Sequence, residues 1–264
     1  MLKIRVSIWA LWILCLAGCF TEREPLRGRL VDLTYSFDSK TIYWPTENRF
    51  LLEREAEGMT EKGYFYSSNR FAAAEHGGTH LDAPYHFSKD GNTLDAVPLE
   101  RLMGPGVVID VSSQCEHNPD FQIQTENLKA WEKNHGQRLD GKIILFRTGF
   151  GKHWPDRMRY LGTDEKGPAA VAKLHFPGLH PEAARWLASE RSPKAVGLDT
   201  ASIDYGQSTL FESHVALYSK NIPALENVAN LDQLPESGFT LIALPMKIRG
   251  GSGGPVRIVA LLPN

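Results

Sequence analysis

The chain has 264 residues, 42% of them hydrophobic and 23% charged, with a formal net charge of -2. That is the profile of a globular protein with one large domain or two small ones. Lys and Arg (29) nearly match Asp and Glu (31), and there is no basic run or aromatic-interleaved basic patch, which argues against a nucleic-acid partner.

At the N-terminus, Lys3 and Arg5 precede an apolar run from Ile8 to Ala17 that closes on "LAGC", Leu16 to Cys19. A basic start, a short apolar core and small residues at its end read as an export signal over 1–18. The run is too short to span a bilayer comfortably. "LAGC" resembles the lipobox of bacterial lipoproteins. That resemblance implies lipidation of Cys19, a tether over 19–25 and membrane attachment through acyl chains only. Phe20, where an inner-membrane lipoprotein carries Asp, implies the periplasmic face of the outer membrane in a Gram-negative cell. Cys15 would leave with the signal, so Cys115 alone stays free and no internal disulfide is expected.

Further along, Val- and Ile-rich runs predict strands at 29–35, 106–112, 142–149, 194–199, 240–248 and 256–262. Near-continuous apolar runs predict strands covered on both faces. Between them, "TENLKAWEKNHG" predicts a helix with Thr125 as N-cap, Glu126 in its first turn and Gly136 as its stop. "HPEAARWLASE" predicts another, with Pro181 in the first turn and Ala184, Trp186 and Leu187 on a buried face. "ESHVALYSKN" predicts a third. The "GGSGG" stretch at 250–254 lies between two strand patterns and lacks the Lys-Ser/Thr of a phosphate loop, so it reads as a flexible hairpin. These elements predict a single α/β domain over 26–264.

The chemistry concentrates in "HGGTHLDAPYHF", residues 76–87. His76, His80, Asp82 and His86 would share one face of an extended chain. A regular helix is opposed by Gly77, Gly78 and Pro84. A straight strand fails on distance, since it would hold the His76 and His80 Cα atoms about 13 Å apart. The two glycines permit the bend that draws His76 back. His76, His80 and Asp82 then offer two nitrogens and a carboxylate to one ion with a position left open, the ligand count of a catalytic site. A lone histidine is more often an ordinary surface or core residue. The complete pattern H-x-G-T-H-x-D-x-P-x-H, by contrast, arises by chance on the order of once in ten million such chains.

That motif resembles the signature of the cyclase-type metal-dependent hydrolases, which include kynurenine formamidases and isatin hydrolases. The similarity extends to "VDLTYSFDSKTIYWP" (31–45), "ILFRTGF" (144–150), "GLDTASID" (197–204) and "IPALENV" (222–228). It implies a swivelling β/β/α fold with a strand-rich core and flanking helices, assembled as a homodimer or larger oligomer. It also implies a second metal site completed by His214 and Glu226, twelve residues apart, with Asp82 bridging. On the residues alone, His214 also reads as a surface residue and Glu226 as a cap or ion-pair partner. His86 is implied as the catalytic acid/base; support of a ligand is its other reading. The donor set has no thiolate and accepts zinc or manganese, one or two ions per chain.

The expected reaction is metal-dependent hydrolysis of an aryl-amide C–N bond, with a small aromatic amide as substrate. By family position Trp44 is the aromatic wall, with Phe37, Tyr43 and Phe87 as further candidates. The His214/Glu226 pair points to an arylformamidase that releases kynurenine and formate from N-formylkynurenine. The glycine-rich C-terminal stretch and the chain length point to opening of a cyclic amide, as in isatin hydrolases. A metal-carrying lipoprotein would need the ligands but not His86. An interaction module on a hydrolase fold would tend to lose ligands, and none is missing here.

Overall fold

The computed structural model describes residues 28–263. The export signal, Cys19 and the tether lie outside the described residues. Twelve strands follow one another: β1 (Arg29–Asp32), β2 (Leu51–Met59), β3 (Phe65–Ala72), β4 (His80–Asp82), β5 (Met103–Asp110), β6 (Gln122–Ile123), β7 (Ile143–Arg147), β8 (Gly178–Leu179), β9 (Ala195–Leu198), β10 (Ala224–Glu226), β11 (Phe239–Pro245) and β12 (Gly253–Leu262). The main sheet runs β1-β12-β11-β5-β7-β9-β10-β4, and β12 pairs β4 as well. Seven strands therefore close into a barrel-like ring, with β1 appended outside it. The β5–β7, β7–β9 and β9–β10 pairs are parallel; the other pairs in this sheet are antiparallel.

Alternation along the strands sorts the core into two. Leu81, Val108, Leu145, Ala195, Leu225, Leu241 and Ile258 come from every strand of the ring and meet in one cluster, which fills its interior. Their neighbours Ile109, Ile144, Phe146, Val196, Leu198 and Ala224 face outward onto a second cluster with the helices. β5, β7 and β9 are thus covered on both faces, as their apolar runs require, whereas β1, β11 and β12 alternate between buried and more exposed positions and are fully covered on one face only. The α/β domain with a strand-rich core and flanking helices is the observed fold.

Three helices cover the outer face near the site: Thr125–His135, Pro181–Trp186 and Glu212–Tyr218. The first starts one residue earlier than its pattern implied. Gln124 is its N-cap, its N–H donating to Asn127 Oδ1 at 2.8 Å, while Gly136 ends the helix at φ 61°. In the second, Ala184 and Leu187 are buried, but Trp186 is only half-buried under the Arg191 guanidinium, 4.1 Å from its ring. None of the described helices is long and apolar enough to cross a membrane.

The 250–254 segment is a hairpin connection, but not a free one. Gly253 and Gly254 already pair with Asp82 and Leu81 of β4, and the Ser252 carbonyl accepts the Ala83 N–H at 2.9 Å. A Cβ at Gly253 would fall 2.5 Å from the His76 ring, so glycine there is demanded by close packing rather than flexibility. The ribbon β2–β3 had no strong apolar pattern in the sequence. It projects with most side chains on both faces exposed.

Candidate active site

The interior residues Leu81 and Leu225 turn their flanking partners to the outer face, so His80, Asp82, Ala224 and Glu226 all point towards the helices. The β4–β10 register then sets Glu226 opposite His80, and Ala224 opposite Asp82. Before β4 the chain bends. Gly77 bridges to Tyr43, and Gly78 takes φ +57° with its N–H on the Ile42 carbonyl. This bend returns His76 so that its Nδ1 lies 2.7 Å from Asp82 Oδ1. His80 Nε2 lies 3.0 Å from the same oxygen and 3.5 Å from Glu226 Oε2.

On the other side, the helix Glu212–Tyr218 delivers His214. Its Nε2 stands 3.2 Å from Glu226 Oε1 and 3.4 Å from Asp82 Oδ2. Two groups of facing ligand atoms result, His76–His80–Asp82 and Asp82–His214–Glu226, and they share Asp82. All six sequence candidates around the motif therefore meet: the sixth, His86, stacks on His76 with ring centroids 3.8 Å apart.

Outer partners fix the ring orientations. His80 Nδ1 lies 3.0 Å from the Gly78 carbonyl, which also accepts from Asn227 Nδ2 at 2.8 Å. His214 Nδ1 contacts Asp204 Oδ2 at 2.5 Å. His76 Nε2 meets Ser252 Oγ at 2.9 Å, and that hydroxyl donates to Glu75 Oε2 at 2.6 Å. Tyr218 donates to Asp82 Oδ2 at 2.8 Å, and the Ile203 N–H to Glu226 Oε1 at 2.7 Å. Each histidine is thereby held with one nitrogen turned to the carboxylates, the arrangement that metal-binding imidazoles use. Ser252, Glu75, Asp204 and Tyr218 escaped the sequence reading. Asp204, Tyr218 and Ser252 lay in the stretches "GLDTASID", "ESHVALYSKN" and "GGSGG", but nothing there marked their side chains.

The donor chemistry fits a divalent cation. His80 Nε2 is buried without a hydrogen-bond partner among the described residues, although two carboxylates stand beside it. Nitrogen and oxygen donors without thiolate suit zinc or manganese alike. Burial opposes charge on His80, yet Asp82 and Glu226 outweigh it and push its pKa up to about 9. Burial raises the Glu226 carboxyl and adjacent Asp82 raises it further, whereas the surrounding histidines hold Asp82 well below the ordinary range against its own burial. His86 differs. Burial lowers its pKa to about 4, Asp82 opposing and the other three histidines assisting, so it is neutral near pH 7.

A cavity of about 290 Å³ opens over these groups, lined by Trp44, Phe87 and Phe211 beside the five metal-ligand candidates and His86. Trp44 meets Phe176 and Phe211, and Phe87 packs 4.7 Å from the His214 ring. Tyr43 lines the cavity too, and Phe211 is an aromatic wall that the sequence did not single out. Phe37 does not belong to it. Its ring packs edge-on to Phe50 at 5.7 Å, behind Gly78, and serves the base of the β2–β3 ribbon.

Comparison with known proteins agrees with this geometry. The Cyclase family model matches residues 31–205. The chain is 37% identical to the isatin hydrolase of Roseibium aggregatum over 211 residues, 76% of this chain and 77% of that protein. It is 29% identical to the kynurenine formamidase of Salinibacter ruber over 233 residues, 87% of this chain and 96% of that one. Among solved structures, isatin hydrolase A from Ralstonia solanacearum superimposes with a TM-score of 0.79 at 35% identity, covering 89% of this chain and 92% of that one.

Proposed function

The chain belongs to the Cyclase family, and from that premise we propose that it is a metal-dependent hydrolase of aryl amides that cleaves a carbon–nitrogen bond other than a peptide bond. The observation that carries this reading is the pair of ligand groups sharing Asp82 under an aromatic-walled cavity. His76 Nδ1, His80 Nε2 and Asp82 would hold a first divalent cation, and Asp82, His214 Nε2 and Glu226 a second; zinc and manganese both suit the set. A cation held there polarises a carbonyl and makes water a better nucleophile.

The chain's own residues do the rest. Trp44, Phe87 and Phe211 clamp a flat aryl group and exclude water around the amide. His86, neutral and free of hydrogen bonds to its ring among the described residues, accepts the proton of the attacking water on an imidazole nitrogen. It then passes that proton to the departing nitrogen. Oxygen bonds to the carbonyl carbon, the C–N bond breaks, and an acid and an arylamine result.

Two substrate forms fit. A cyclic amide of the isatin type is favoured by the 37% identity to an isatin hydrolase. An open formanilide such as N-formylkynurenine is favoured by the nearly full-length match to a kynurenine formamidase. We further assign the chain a homo-oligomeric state and, through Cys19, attachment to a membrane after export.

The deciding experiment uses the chain from Phe20 onward, stripped with chelator and resupplied with zinc or manganese, on isatin and on N-formylkynurenine. Metal-dependent turnover of either establishes the reaction and selects the form. Metal-loaded protein inert on both, and on simple anilides, would reduce the site to metal binding.

A further inference from the structure

We propose that the outer face of β1, β12, β11 and the start of β5 rests against a lipid bilayer and turns the substrate cavity away from it. This deepens the attachment through Cys19 proposed above and rests on it.

Strand register builds the face. Leu30 lies beside Leu261, Val259 beside Ile242, and Ile242 beside Met103, while Leu244 follows two positions along β11. Alternation puts all six on the side opposite Val31, Leu241, Ile258 and Ala260, which fill the ring. None of the six belongs to either core cluster. Leu30, Leu244 and Met103 are 59%, 46% and 40% exposed, and the other three are half-buried. A contiguous apolar face of this kind marks an interaction surface.

Its charges point to lipid. The outward positions of these strands carry only Asp32 and Arg257, which pair with each other through contacts of 2.7 and 3.0 Å. At the β5 edge the Lys194 amine donates to the Met103 carbonyl at 3.1 Å, which places a cation at the rim where phospholipid headgroups would lie. An apolar centre without net charge, edged by a lysine, suits the headgroup boundary.

The tether selects the bilayer over another protein. β1 opens at Arg29, and Leu30 follows Cys19 by eleven positions, about 37 Å of fully extended chain. A domain of this size is about 45 Å across. Acyl chains on Cys19 would therefore hold the face at the root of the tether near lipid, at high effective concentration, and keep the opposite side out of reach. In the seven-strand ring, β11 lies three strands from β9 one way and three from β10 the other. Glu226 on β10 and the helix that carries His214 thus stand on the far side, towards water-borne substrate.

The test uses the lipidated chain in vesicles of phosphatidylethanolamine and phosphatidylglycerol with brominated acyl chains. Bimane is attached at Leu244→Cys or, on a helix of the far side, at Glu182→Cys. Cys115 is buried and stays unlabelled. Bromine should quench the Leu244→Cys label by about half and leave the Glu182→Cys label bright, and Leu30→Asp should cut that quenching about threefold. Mass spectrometry of Cys19 reads the anchor separately. A chain from Phe20, held to nickel-chelating lipid by an N-terminal hexahistidine tag, tests the face without it. A bare Cys19, with the tagged chain quenched only at Leu244→Cys, removes the native anchor and keeps the face; without that quenching both fail. An acylated chain quenched at neither position, or equally at both, overturns the proposal. So does a Leu244→Cys label that becomes shielded with rising protein concentration before lipid is added, which would give the face to a second copy.

Discussion

Glu226 stands directly across from His80 in the antiparallel β4–β10 pair, its Oε2 3.5 Å from His80 Nε2. A cross-strand pair is a stiff way to set two ligands, because the ladder hydrogen bonds fix both backbones. The same carboxylate reaches His214 with its other oxygen, so Glu226 ties the strand pair to the helix Glu212–Tyr218. His80→Ala should cut turnover by about 10³-fold, since a cation contributes several kcal/mol to the transition state. Glu226→Gln should lower the metal content measured by elemental analysis while His76, His80 and Asp82 still retain an ion. An unchanged metal count in Glu226→Gln would remove it from the ligand set.

Asp204 and Ser252 touch no candidate metal position, yet each grips the far nitrogen of a ligand histidine. Asp204→Asn and Ser252→Ala should each weaken metal affinity by about 10–100-fold. Competition with a fluorescent chelator measures this directly. A loss of activity at full metal occupancy would instead assign these residues a part in the chemistry.

His86 separates catalysis from metal capture. Its ring stacks on His76 but makes no close approach to a carboxylate, and it is neutral near pH 7. His86→Ala should lower kcat by about 10²–10⁴-fold with metal content intact. A metal carrier would be indifferent to the change. His86→Gln keeps much of the side-chain volume without an ionisable nitrogen, and should be as inactive as the alanine.

What the sequence made legible follows the range of the interactions. His76, His80 and Asp82 declared themselves because a period of two and a glycine bend are local. Strands β5, β7 and β9 were visible as apolar runs because both their faces are buried, and β11 and β12 because Ile242, Leu244, Val259 and Leu261 keep even their more exposed face apolar. Strands β4 and β10 are three residues each, and half of those residues are ligands, so no apolar run marks them. The ring closure that brings Ser252 to His76 spans 176 positions and leaves no local trace. His214 and Glu226 were found only through their twelve-residue spacing in a familiar block. Phe37 was misplaced because an aromatic near the motif reads alike whether it faces the cavity or the loop behind Gly78.

Away from the site, Glu132 and Arg191 form the best-shielded ion pair between long side chains, about 13% and 14% exposed. Two contacts of 2.7 and 2.9 Å join them, and Glu132 also accepts the Leu139 N–H. Arg191 depresses the Glu132 carboxyl. A depressed folded pKa stabilises above the unfolded value of about 4.3 and is lost as pH falls through the folded one. Glu132→Gln should therefore cost about 2 kcal/mol at pH 7. The gap should close as the pH drops below about 4, which urea unfolding at the two pH values would show. A gap that persisted in acid would trace the loss to packing.

The ribbon β2–β3 carries the last prediction. A two-stranded ribbon on its own is marginal in water, yet this one runs nine residues against eight. Its register pairs Leu52 with Phe71 and Met59 with Phe65, and all four are more than half exposed. The alternation of β3 sets Phe65 and Phe71 on one face, with Ser67 and Asn69 between them, so the ribbon offers two apolar patches with a polar middle. Of the charges on these strands, Arg54 pairs with Glu57 and Arg70 with Glu53 inside the ribbon, so it is the exposed apolar patches that are left for a second copy. We expect the chain to sediment as a dimer or larger. Leu52→Ser with Phe65→Ser should shift it towards the monomer while changing the intrinsic stability by only about 0.5 kcal/mol, as for surface substitutions generally. A monomer at micromolar concentration before any substitution would leave the ribbon without this role.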